Sequence, residues 1–248
     1  MTLYAEPRLL PCGDLAVSVE LADEISPPAA ARVLTLERLL HDARLDGLVE
    51  TVPSFRALLV YYDPPRLTWD ALRGQLLALS ERLAEATPPA GRAVEIPCAY
   101  GGEYGPDLAE VAGRLRLDPG EVVRLHAGAD YLVYFVGFTP GLPYMAGMPE
   151  RLTIPRLDRP RTKTPPGSVG IGGTQCSIYS VESPGGFWLL GRTPLPLYDA
   201  GAADPILLRP GDHVRFRPID RAEFERLARS TVAGASRGEV PEDRAGIR

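Results

Sequence analysis

The 248-residue chain has a formal net charge of −5, with 45% hydrophobic and 24% charged residues. The length allows one large domain or two small ones, each able to bury a core. The acidic balance and the lack of a basic run argue against nucleic-acid binding. No window reaches 18 uninterrupted apolar residues, and the first 13 residues carry no apolar leader, so neither a transmembrane helix nor a signal peptide is expected. Cys12, Cys98 and Cys176 are odd in number and have no metal-ligand spacing, which makes the cytoplasm the expected compartment and leaves no metal site to expect.

In chain order, Leu15, Val17, Val19 and Leu21 alternate with polar or small residues, the period of a half-buried strand. Ser26 followed by Pro27 reads as a helix cap and first helical residue, with Val33, Leu36 and Leu40 on one face. Arg56 to Tyr62 reads as a second strand, stopped by Asp63-Pro64-Pro65. Thr68 is placed to cap the next helix, whose apolar stripe is Leu72, Leu76, Leu79 and Leu83. Two helices on one face of a small antiparallel sheet fit residues 1–86.

Residues 87–92 read as a linker rich in helix-stopping residues. A strand begins at Ala93. Asp107 with Glu110, and Asp118 with Glu121, have capping-box spacing at the starts of two short helices. The run from Tyr131 to Phe138 is apolar on both faces and is expected to be a fully buried strand. From Thr139 to Pro218, short apolar runs alternate with Gly and Pro turns, the pattern of a β-barrel or sandwich. A short helix is expected after Glu223, with residues 231–248 as a frayed tail. The expected domains are therefore residues 1–86, a linker at 87–92, a β-domain at 93–222 and a terminal segment at 223–248.

His41, His126 and His213 lie far from other ligand-type residues in sequence and are read as structural or solvated. No G-x-S-x-G nucleophile elbow is present. The Gly101–Gly105 and Gly167–Gly173 stretches lack the Lys-Ser or Lys-Thr of a P-loop, so turn or bulge chemistry is the simpler reading. Arg161, Lys163, Gln175, Glu182 and Arg192 sit in or beside the Gly/Pro turns. Lys163 is the one lysine among 27 basic residues. Arg suits carboxylate or phosphate because its planar fork binds two oxygens at once. A set of surface ion pairs is the competing reading of the same residues.

Three segments resemble one bacterial family. They are Tyr134-Phe135-Val136-Gly137-Phe138-Thr139-Pro140-Gly141-Leu142-Pro143-Tyr144, Pro160-Arg161-Thr162-Lys163-Thr164-Pro165-Pro166-Gly167-Ser168-Val169-Gly170-Ile171, and Glu182-Ser183-Pro184-Gly185-Gly186-Phe187-Trp188 running into Gly191-Arg192-Thr193-Pro194. The family is the small B-type subunit of ATP-dependent 5-oxoprolinase, also called allophanate hydrolase subunit 1 or KipI-like, with carboxyltransferase subdomains C and D. The resemblance runs from Gly13 to about Ile219. It departs at Gln175-Cys176-Ser177, where the family usually has Gln-Thr-Gly.

The resemblance implies an α+β fold: a small N-terminal α/β sandwich followed by a cyclophilin-like β-barrel. It implies a polypeptide that hydrolyses 5-oxoproline to glutamate only with a larger homologous partner (the C-type subunit of 5-oxoprolinase) and a third component (the A-type subunit). ATP, with magnesium, would be bound on this chain or shared with a partner. The candidate catalytic residues are Glu182 and Lys163. The candidate substrate-binding residues are Arg161, Arg192, Gln175 and Tyr144. The alternatives are a carboxyltransferase-type component of a urea or allophanate pathway enzyme, and a binding module that inhibits a sensor histidine kinase.

Overall fold

The alternation of Val17 and Val19 with Ser18 and Glu20 builds a strand whose apolar side is buried. In the computed structural model, which describes residues 2–86 and 90–235, this strand is β2 (Ala16–Ala22), and it pairs with β1 (Leu3–Pro11). The helix α1 (Pro27–Ala43) starts where Ser26 Oγ accepts the Ala29 N–H at 3.2 Å. Strands β3 (Leu48–Pro53) and β4 (Ala57–Tyr62) follow, then α2 (Trp69–Glu81), capped by Thr68. The strands form one antiparallel sheet in the order β1-β2-β4-β3. Val17, Val19, Leu58 and Val60 meet Val33, Leu36, Leu72 and Leu76 in one core. Burying each such side chain contributes about 1.5–3 kcal/mol. The sequence pattern foresaw β2, β4 and both helices. It did not show β1 and β3, which alternate poorly because they lie at the two edges of the sheet.

The chain divides into two compact units, Met1–Ala90 and Gly91–Arg248. Residues 87–89 of the expected linker and 236–248 of the expected tail lie outside the described residues. The second unit begins with β5 (Ala93–Tyr100), α3 (Leu108–Leu115) and α4 (Pro119–Ala127). Next come β6 (Tyr131–Val136), β7 (Pro143–Ala146), β8 (Arg161–Thr164), β9 (Ser168–Gly172) and β10 (Gln175–Ile178). The last elements are β11 (Ser183–Gly185), β12 (Trp188–Arg192), β13 (His213–Pro218) and α5 (Arg221–Ala235). Residues 231–235, expected in the tail, continue this last helix.

Seven strands close into a barrel in the order β10-β7-β6-β13-β5-β12-β9. All pairs are antiparallel except β13 with β5, where Val214 lies beside Val94 and Phe216 beside Ile96. The α+β fold with a closed barrel is as the resemblance implied. Strands β8 and β11 stand outside the barrel as a two-stranded arm, with Ser183 opposite Thr164.

Asp118 caps α4 as its spacing predicted, accepting the Gly120 N–H at 2.8 Å. Asp107 does not cap α3: its carboxylate turns away to Arg161 and to the Leu189 N–H. The apolar run from Tyr131 also ends differently from expectation. Strand β6 stops at Val136, and Phe138 is 67% exposed with φ of 68°.

The departure at residues 175–177 fits the barrel. Cys176 is buried in the core, 3.4 Å from His126 Nε2, and Ser177 Oγ donates to the Pro143 carbonyl at 2.8 Å. His126 Nδ1 meets the Tyr100 hydroxyl at 2.8 Å. Both imidazole nitrogens thus have partners inside the barrel, as a structural histidine requires.

Candidate functional site

The Gly and Pro turns at one region of the barrel leave two concavities. The larger, about 520 Å³, lies among the turn before β9 (Pro166, Gly167), the loop before β11 (Ser180, Glu182), Arg192 and Phe224 of α5. Gly167 is required there. Its φ is +80°, and a Cβ would fall 2.3 Å from the Thr193 carbonyl oxygen. This close approach lets the Gly167 N–H reach the Tyr179 carbonyl at 2.7 Å and its own carbonyl accept the Thr193 N–H at 2.9 Å.

The smaller pocket, about 160 Å³, is lined by Phe138, Tyr144, Arg156, Tyr179, Gly185 and Phe187 among others. Gly185 is needed for contact: a Cβ would lie 2.1 Å from the Tyr179 hydroxyl. Thr139 Oγ1 and Ser180 Oγ, 3.3 Å apart, tie the first motif to the loop lining the larger cleft. The three motifs, far apart in sequence, therefore converge on these two concavities.

The six sequence-predicted residues do not gather in one place. Glu182 and Arg192 line the larger cleft. Lys163 Nζ meets Glu182 Oε1 at 3.0 Å across the arm, with both side chains more than half exposed. Arg192 Nε donates to the Pro166 carbonyl at 2.8 Å. Tyr144 lines the smaller pocket and stacks on Phe135 at 4.4 Å. Gln175 Oε1 accepts from Arg156 Nη2 at 2.8 Å. Arg161 is turned away to Asp107 Oδ1 at 2.6 Å and the Phe187 carbonyl at 3.2 Å.

Sequence reading passed over Arg156. It precedes the second motif, and no spacing marks it. Its guanidinium lies 4.8 Å over the Phe187 ring, a cation–π placement. The Tyr179 hydroxyl is pushed up from its ordinary pKa by burial, while the Phe187 backbone and the charges of Arg156 and Arg161 pull it the other way. Among the described residues, two buried hydroxyls, Thr164 Oγ1 and Ser183 Oγ, have no hydrogen-bond partner. They sit on the arm between residues of the two concavities, and such orphans are uncommon in a relaxed core.

At the two Gly-rich turns most backbone N–H groups already have carbonyl partners. The N–H groups of Gly101, Tyr104, Gly105 and Asp107 are spent on the carbonyls of Leu190, Gly101 and Leu189. Those of Gly167 and Ser168 go to Tyr179 and Pro165.

Residues 7–208 match the carboxyltransferase domain, subdomain C and D. The chain belongs to that family. It is 42% identical over 207 residues to a protein of Escherichia coli O157:H7 that is named as the B subunit of 5-oxoprolinase, covering 83% of this chain and 93% of that one. It is thus a family member of the 5-oxoprolinase B-subunit type. Among solved structures, TTHA0988 is 40% identical with a TM-score of 0.73, over 83% of this chain and 40% of that one. The K. lactis urea amidolyase aligns with a TM-score of 0.77 at 22% identity, over 95% of this chain and 16% of that one. The latter likeness is one of fold alone. In both structures the counterpart of this chain occupies less than half of a longer polypeptide. No helix among the described residues is long and apolar enough to cross a membrane.

Proposed function

We propose that this chain is the B subunit of an ATP-dependent 5-oxoprolinase, which opens the lactam of 5-oxoproline to glutamate together with a larger homologous partner and a third component. The observation that carries this reading is the 42% identity to the Escherichia coli protein of that name over 93% of its length. The convergence of the three motifs on two adjoining concavities supports it.

A lactam resists hydrolysis because its amide is resonance-stabilised, and ATP supplies the activation. In this reading ATP belongs to a site that a partner supplies or completes. What this chain offers is recognition and a proton acceptor. Glu182 is the acceptor for the proton of an attacking water, Lys163 steadies its negative charge, and Arg192 holds an anionic group in the larger cleft. The Lys163–Glu182 pair is open to solvent, where an ion pair has little strength. A partner covering the arm would lower the local dielectric and strengthen every charge there. In this reading the chain is inactive alone.

The test is glutamate release from 5-oxoproline and ATP by the chain alone and by the assembled three-component mixture. Turnover confined to the mixture, lowered by Arg192→Ala without loss of pairing between the components, supports the assignment. An assembled mixture that does not turn over 5-oxoproline overturns it in favour of a carboxyltransferase component.

A further inference from the structure

The smaller pocket has the dimensions of a single small ring. Its volume of about 160 Å³ is close to the ~150 Å³ cavity that holds one benzene molecule. Leu142, Tyr144 and Phe187 give it apolar walls. These walls are braced. Phe135 stacks against Tyr144 with an interplanar angle of 16°. Gly172 leaves the space that Phe187 and Arg156 fill, since a Cβ there would lie 2.8 Å from one and 2.9 Å from the other.

Two polar groups in the pocket retain donor capacity. A guanidinium has five N–H donors. Among the described residues, Arg156 makes a single hydrogen bond, to Gln175 Oε1, so most of its fork is available. Gln175 fixes one edge of that fork. Tyr179 is buried and lines the pocket, and a phenol hydroxyl can give its proton to a hydrogen bond. At the lip stands Phe138, exposed and held at φ of 68°. A large L-residue in that conformation is strained, and such strain collects at ligand clamps.

We propose that this pocket binds a five-membered lactam bearing one carboxylate, with the ring against Tyr144 and Phe187, the carboxylate on Arg156 and the lactam carbonyl on the Tyr179 hydroxyl. Phe138 closes over the ring, and Gln175 acts as a positioning residue through Arg156. The proposal rests on the 5-oxoprolinase reading and adds where the substrate sits. A planar fork facing a carboxylate can make two parallel bonds, which a lysine at position 156 would not reproduce.

Steady-state kinetics of the assembled complex, with 5-oxoproline varied at saturating ATP, test this. Arg156→Gln is expected to raise the KM for 5-oxoproline tenfold or more while leaving the KM for ATP unchanged. Phe138→Ala, at an exposed position, is expected to raise it severalfold. As an inhibitor, 2-pyrrolidinone, which lacks the carboxylate, should bind the wild type and Arg156→Gln equally. An active wild-type complex in which both variants keep the wild-type KM overturns the pocket assignment and leaves the 5-oxoprolinase reading standing. An assembled wild-type complex without turnover overturns both.

Discussion

Asp107 and Arg161, separated by 54 positions, are joined by a 2.6 Å contact between Oδ1 and Nη2, while the other oxygen of Asp107 accepts the Leu189 N–H at 2.7 Å. The carboxylate thus fastens the start of α3 to both the arm and the barrel strand β12. Removing Asp107 leaves the part-buried Arg161 without its counterion and the buried Leu189 N–H without its acceptor. Asp107→Ala should therefore cost about 3 kcal/mol. Urea unfolding of the full chain would measure it; a change below about 1 kcal/mol would show that the contact is not a structural tie.

Phe138 exposes most of its ring, so its removal forfeits little burial. Its positive φ carries a cost that glycine would not bear. Phe138→Gly should raise stability by about 1 kcal/mol, after the loss from glycine's greater freedom in the unfolded chain. A lower urea midpoint for this variant would contradict the strain argument.

Thr164 Oγ1 is buried without a hydrogen-bond partner among the described residues. Valine has nearly the same shape and no hydroxyl to desolvate. Thr164→Val should stabilise the chain by about 1 kcal/mol. A loss of stability instead would mean that the hydroxyl is satisfied in solution.

His126 is fully buried, and burial lowers its pKa from 6.5 to about 3. The unfolded chain takes up a proton near pH 6.5 that the folded chain refuses until about pH 3. Below pH 6.5 the unfolded state therefore binds more protons, and stability falls as the pH falls. The loss between pH 7 and pH 5 from this residue is about 2 kcal/mol. Unfolding free energies at the two pH values should show this difference in the wild type and a smaller one in His126→Gln.

Much of the fold was legible because its signals are local. Ser26, Thr68 and Asp118 cap helices as their spacing indicates, since a cap needs only the backbone N–H groups two or three residues away. Asp107 has the same spacing and fails as a cap, because a guanidinium 54 positions later offers a stronger, charged partner. The run ending at Phe138 misled for a similar reason. Apolar character indicates a buried strand, yet the backbone turns at Phe138 and holds the ring at the mouth of a pocket.

The sequence alone determined the turn-rich character of the barrel and, through three long motifs, the family. Those features depend on residue type and short spacing. Tertiary structure decided the rest. Barrel closure required β13 to lie parallel to β5, about 120 positions earlier, a pairing that no local period encodes. The same closure turned Arg161 toward Asp107, left Lys163 and Glu182 on an open arm, and brought Arg156 over Phe187 beside Tyr144. Which charged residue meets a ligand depends on which competing partner the fold places within hydrogen-bonding distance.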